Sequence, residues 1–331
     1  MTTRFGRFAA LLCAAVLLAG ACSDGGEEQA AENPEQAFSD ALEALGDYEG
    51  VTIEMTVEGD AASLAAQDMT EEEAQKLLDS SLTLSTKGGT PEDAQAEIAV
   101  NVAGNEDAVE LRVVEQSLYA RVEVRDLVEE FGGNAAEIDA TVQQATAQGF
   151  DFAQPLVDGE WIGVENINEL AEQFGGGQLP TPDPEEAQAV ADEIARIFEQ
   201  NASVTSEGSD DVGAHLVVSV PLRETLSESL DALQGLSGAP AGAIPGDALQ
   251  EVPDASIPVD AWISDGQLVQ VEFDFVKIAE ALDEPQPEGV EDLAIRATLD
   301  EFTEDVEAPS DFTAINLQEI LQSFFGGLGT M

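Results

Sequence analysis

The sequence predicts an α+β fold: a curved antiparallel sheet of about nine to eleven strands, a half-barrel, covered on its apolar face by amphipathic helices. Three observations predict it. Apolar residues alternate strictly with polar ones in many short stretches, the period of antiparallel strands buried on one face only. Segments of helical period punctuate these stretches and are the available cover for the apolar face. Tight, Gly-bearing turns join consecutive strands, as an antiparallel sheet requires.

Taken in order, residues 34–45 predict a helix, with Pro34 near its start and Ala37, Phe38, Ala41, Leu42 and Leu45 on one face. Val51, Ile53, Met55 and Val57 then share one phase, against Thr52, Glu54, Thr56 and Glu58 on the other. The same split recurs at Ile98/Val100/Val102, Val109/Leu111/Val113 and Leu118/Ala120/Val122/Val124, with Gly104-Asn105 between two of these strands. A second helix is predicted over 184–200, carrying Ala187, Val190, Ala191, Ile194, Ile197 and Phe198 at helical spacing. Alternation returns at Leu216/Val218/Val220, Val269/Val271/Phe273/Phe275 and Leu293/Ile295/Ala297/Leu299, and Asp265-Gly266 marks a hairpin. Strand repeatedly runs into helix: 118–124 into 126–131, 215–220 into 222–236, 267–275 into 276–282. Residues 316–324 repeat the helix type. One domain over 35–325 is expected, with two related halves meeting in a linker at 175–186 as its internal organisation. Residues 237–255, rich in Gly, Ala and Pro, read as a mobile loop at a rim, and 326–331 as a tail.

The N-terminal region carries a different signal. Arg4 and Arg7 precede an apolar run over 8–18 and a small-residue exit at Ala19-Gly20-Ala21, the three parts of an export signal. The run is too short for a spanning helix, which needs roughly 20 residues. Leu18-Ala-Gly-Ala-Cys22 resembles a lipobox, with cleavage after Ala21 and acylation of Cys22; the usual Leu three residues before the cysteine is here Ala19. Residues 22–34 are polar and acidic, a flexible tether of the kind a lipidated cysteine needs. Residues 1–21 are therefore expected to be a lipoprotein signal peptide, and the protein to sit on the extracytoplasmic face of the cell membrane. Cys13 leaves with the signal, so no disulfide is expected.

The 331-residue chain holds 68 acidic and 11 basic residues, a net charge of −57. Loss of Arg4 and Arg7 with the signal makes it more negative still. Nucleic acid is excluded as a partner, because phosphate backbones demand Lys and Arg. The acids fall mostly on the polar phase of each element, a solvated surface suited to salt. No metal site is expected, because no D-x-[DN]-x-[DN]-G loop is present. No cofactor is expected either: Walker, G-x-G-x-x-G, G-x-S-x-G and H-E-x-x-H patterns are all missing. The lone histidine, His215, has no Cys or Asp at ligand spacing and reads as a surface or structural residue. No catalytic residues are assigned, and the chain is not expected to be an enzyme. Trp161 and Trp262 each sit on the phase opposite their aliphatic neighbours. Packing under a helix is one reading of them, and the mouth of a ligand cavity is the other.

The combination of lipobox, acidic tether, helix, Gly159-Glu-Trp-Ile-Gly163, the strand-turn-strand run over 257–275 and Glu307-Ala-Pro309 resembles the actinobacterial LppX/LprG-type lipoproteins. That family has the LolA-like half-barrel fold. The resemblance implies an apolar cavity for acyl chains between sheet and helices, and carriage of lipids or lipoglycans across the envelope. Val113, Leu118, Leu216, Val218, Val271, Phe273 and Ile295 would line it. This chain departs from the family in its length, its acidity and its inserts at 175–186 and 237–255. Two functions are thus expected from different classes. One is a membrane-anchored protein that binds or carries a lipid or lipid-linked glycan. The other is a filled-core envelope scaffold whose acidic surface binds a partner.

Overall fold

In the computed structural model, residues 30, 32–65, 69–88, 93–147, 149–165, 196–197, 200–234, 252–285 and 289–315 are described. Along the chain the elements begin with α1 (Pro34–Ala44), a 3-10 turn (Leu45–Asp47), β1 (Gly50–Gly59), α2 (Ala61–Ala65) and α3 (Glu71–Leu78). There follow β2 (Ser81–Lys87), β3 (Gln95–Val102), β4 (Asn105–Val114), β5 (Ser117–Val122) and α4 (Val124–Glu130). Next are α5 (Ala135–Ala147), α6 (Ala153–Val157), β6 (Ile162–Val164), β7 (Ser203–Ser209) and β8 (Ala214–Pro221). The last are α7 (Leu222–Gln234), β9 (Ser256–Ser264), β10 (Gln267–Asp274), α8 (Phe275–Ala281), β11 (Leu293–Glu301) and β12 (Thr313–Ala314). The fold is α+β, built on open antiparallel sheet. The predicted signal peptide, Cys22, the linker at 175–186, loop residues 237–251 and the helix at 316–324 lie outside the described residues, as does most of 184–200. Among the described residues no helix is long and apolar enough to cross a membrane.

The chain divides into two compact units, the first from Met1–Tyr48 and Leu179–Leu299, the second from Glu49–Gln178 and Asp300–Met331. In the first unit the strand order is β11-β10-β9-β8-β7. Leu216 lies opposite Ala261, which lies opposite Val271 in turn, so one face collects aliphatic side chains from neighbouring strands. Pro34 opens α1 at a position where its missing N–H costs nothing. The helix lays Ala37 and Ala41 on that face, with Phe38 and Leu42 beside them. Asp265 and Gly266 both take left-handed backbone (φ 51° and 80°), the geometry of the two-residue hairpin read from the sequence.

In the second unit the order is β12-β6-β5-β4-β3-β2-β1, antiparallel except for the parallel β6–β12 pair. Helix α3 starts at a capping box. The Glu73 amide donates to Thr70 Oγ1 at 3.2 Å, and the Thr70 amide donates to Glu73 Oε2 at 2.8 Å.

Strict alternation did not reveal β2 and β7, and it placed one phase wrongly. A bulge between Leu268 and Gln270 puts Leu268, not Val269, into the core, where it is 1% exposed. An extra residue in a strand reverses the side-chain phase on either side of it.

Candidate functional site

The second unit carries three cross-strand rows on one sheet face. Ile53, Leu84, Ile98, Leu111, Ala120 and Ile162 stand in register across β1 to β6. On one side of that row run Met55, Leu82, Val100, Val109 and Val122. On the other side run Val51, Thr86, Ala96, Val113, Leu118 and Val164, aliphatic but for Thr86. Apart from the buried Ile162, these side chains are half-buried or exposed, and Leu118 is 37% exposed. Six strands at about 4.8 Å spacing make the face about 24 Å across. Soluble proteins seldom leave an apolar surface of this extent accessible without a use for it.

The opposite face of the same sheet is polar and closed. Glu110, 3% exposed, accepts from Arg112 Nη2 at 2.9 Å and is also paired with Arg121. Arg112 Nε donates to Glu97 at 2.9 Å. Both guanidiniums lie over the ring of Trp161, at 4.8 and 5.5 Å from its centroid. The segment after β11 covers this side. The Val306 amide donates to Gln95 Oε1 and Lys87 to the Thr303 carbonyl, while Phe312 meets Tyr119 edge to face at 5.0 Å. Glycine is required at position 163, where a Cβ would come within 2.7 Å of Tyr119 and 2.8 Å of Phe312. A buried carboxylate shared by two cations holds the strands in register, and it leaves the apolar face as the side on which a ligand can lie.

The first unit is different. Leu216, Val218, Val271 and Phe273 are 0, 4, 4 and 8% exposed, in one cluster with Ala37, Ala41, Ile263 and Leu268. Ile295 is half-buried on β11, opposite Phe273. The residues that the sequence places along one cavity are thus divided. Val113 and Leu118 belong to the accessible face of the second unit, while Leu216, Val218, Val271 and Phe273 belong to the closed core of the first.

Trp262 and His215 sit on the polar side of the first unit's sheet. Asp260 is 1% exposed; its Oδ1 meets His215 Nε2 and its Oδ2 accepts from Lys277 Nζ, both at 2.7 Å. Burial works against the Lys277 charge, but the Asp260 carboxylate outweighs it and holds the ammonium above its ordinary value. The His215 ring stacks on Trp262 at 4.5 Å, and the Trp262 indole N–H donates to Asp210 Oδ2 at 2.8 Å. Spacing along the chain could not show these contacts, because Asp260 and Asp210 reach the histidine and the indole only across the sheet. Among the described residues no three His, Cys, Asp or Glu side chains come together as a metal site.

The indole donor, with the Val212 and Gly213 amides, holds the Asp210 carboxyl below its usual range. A depressed carboxyl stabilises the fold above its unfolded value, and that contribution disappears as pH falls through the folded value. Trp262→Phe removes the main donor. The variant is expected to lose stability near neutral pH and to converge on the parent below about pH 4, measured by urea unfolding across that range.

No protein-family model matches the chain, and no curated protein matches it. Among solved structures, the crystal structure of the Mycobacterium tuberculosis lipoprotein LppX aligns with a TM-score of 0.34 at 12% identity. The alignment covers 84% of this chain and 100% of that one.

Proposed function

We propose that this chain is an extracytoplasmic lipoprotein, tethered through acylated Cys22, that holds an acyl lipid on the apolar face of its second unit. The observation that supports the reading is the set of three registered rows around Leu111, left accessible while the polar side of the same sheet is closed by Glu110, Arg112, Arg121 and Trp161. The face, at about 24 Å, exceeds the roughly 15 Å depth of one bilayer leaflet. An extended acyl chain from a membrane lipid therefore fits within it. Each methylene removed from water contributes about 0.8 kcal/mol, so a long chain binds without any charged contact. Charge also selects the ligand. Lys76, Lys87, Arg112, Arg121, Lys277 and Arg296 are all held against carboxylates, which favours neutral lipids over anionic ones.

Native mass spectrometry of full-length protein extracted in mild detergent is the test. The expected result is a mass exceeding that of the acylated chain by that of a bound lipid; a ligand-free mass in every preparation would defeat the reading. Anchoring is tested separately. Cys22→Ser is expected to move essentially all of the protein from the membrane to the soluble fraction, and retention in the membrane fraction would remove Cys22 as the anchor.

The acidic surface supports a second reading, an envelope scaffold for a basic partner, because the paired cations leave the excess charge negative. Cross-linked envelopes would then yield a partner that is lost at high salt.

A further inference from the structure

The inner face of α7 bears two hydroxyls without partners. Thr225 is 3% exposed, and Ser229 follows one helical turn later. Among the described residues neither Thr225 Oγ1 nor Ser229 Oγ has a hydrogen-bond partner, and both atoms are out of reach of solvent. They share their helix face with Leu222 and Leu226, which pack into the aliphatic core of the first unit. Buried hydroxyls are almost always partnered, and two unsatisfied ones a turn apart in an aliphatic setting are a matched pair of donors.

We infer that Thr225 and Ser229 form a polar subsite for the two carbonyl oxygens of a neutral diacyl ester lipid. The inference rests on the reading that the chain holds acyl lipid. Residues four apart on a helix stand about 5–6 Å from one another, so the hydroxyls address two acceptors rather than one. A hydroxyl donates readily to an ester carbonyl and brings no charge. The nearest cation on the helix, Arg223, is committed to the Val252 carbonyl and to Asp254, so no counter-charge for an anionic headgroup is at hand. Periodicity could not find this pair, since Thr225 and Ser229 occupy positions that an amphipathic helix normally fills with apolar residues.

The experiment compares binding of a fluorescent diacylglycerol with its diether analogue, which lacks both carbonyls, to the full-length protein and to the Thr225→Val/Ser229→Ala variant. The parent is expected to prefer the ester by about tenfold, the sum of two ordinary hydrogen bonds. The variant is expected to bind both probes as the parent binds the ether, and Thr225→Ser, which keeps the hydroxyl, to retain the preference. Thermal unfolding of the lipid-free variant should be unchanged or raised, because each substitution removes an unsatisfied oxygen and preserves or reduces side-chain bulk. No ester preference in the parent, or an unchanged preference in the variant, would overturn the subsite while leaving the lipid reading intact. Binding of neither probe would overturn the lipid reading and the subsite together.

Discussion

Replacing Leu111 by aspartate is expected to empty the protein of lipid while leaving it folded. Leu111 stands mid-row, between Ile98 on β3 and Ala120 on β5, and its side chain is half-buried. In the lipid-free protein a carboxylate at this position keeps its water, so unfolding stability should change by less than about 1 kcal/mol, the size of an ordinary surface substitution. With an acyl chain laid across the face, the same carboxylate would be desolvated with no cation to meet it. That costs several kcal/mol, equivalent to at least about a hundredfold loss of affinity. Lipid occupancy by native mass spectrometry, read beside a thermal melt, checks both halves. A Leu111→Asp protein that still carries its lipid would place the acyl contact somewhere other than this face.

Much of this geometry was legible in the sequence, and the reasons for what was not are particular. Ile53, Ile98, Leu111 and Ala120 could be assigned to one face because the side-chain period of a strand is two and their neighbours are polar. The hairpin at Asp265-Gly266 was legible because few residue pairs tolerate two left-handed backbones. Strand β2 escaped because its outward phase is Ser and Thr and its inward phase ends in Thr86, which blurs the contrast. Strand β7, SVTSEGS, is polar on both phases except at Val204, as suits an edge that must not recruit other strands. The bulge at Leu268 was invisible because one inserted residue leaves the composition unchanged and alters only the phase.

The candidate site was harder to read than the fold. Alternation tells which side chains face inward, but not whether the interior is filled. Val113 and Leu216 carry the same sequence signal, yet Val113 remains half-buried while Leu216 is wholly enclosed under α1. The polar networks were unreadable for another reason. Asp260, His215 and Lys277 are brought together from β9, β8 and α8, and no spacing rule links them. Trp161 and Trp262 were correctly set apart from the aliphatic phase. What the sequence left undecided was their surroundings, two arginines for Trp161, a histidine and an aspartate for Trp262.

The contrast between the units leads to a comparison of one substitution at two positions. Leu216→Ala deletes a side chain that is 0% exposed, hemmed in by Ala261 on the neighbouring strand and by the buried face of α1. The loss combines transfer free energy with a residual cavity and should amount to about 3 kcal/mol, a shift of several degrees in the melting temperature. Leu111→Ala removes the same atoms from a half-buried position, where water takes up the vacated space and no sealed cavity forms. Its cost in the lipid-free protein should stay near 1 kcal/mol, the transfer of part of a side chain. Urea unfolding of the two lipid-free variants measures the difference directly. Equal costs would mean that the face of the second unit is as tightly filled as the core of the first, and a filled face has no room for an acyl chain. Unequal costs in the expected direction would mean that the second unit gives up part of its own stability to keep an apolar surface available, as a lipid-binding protein must.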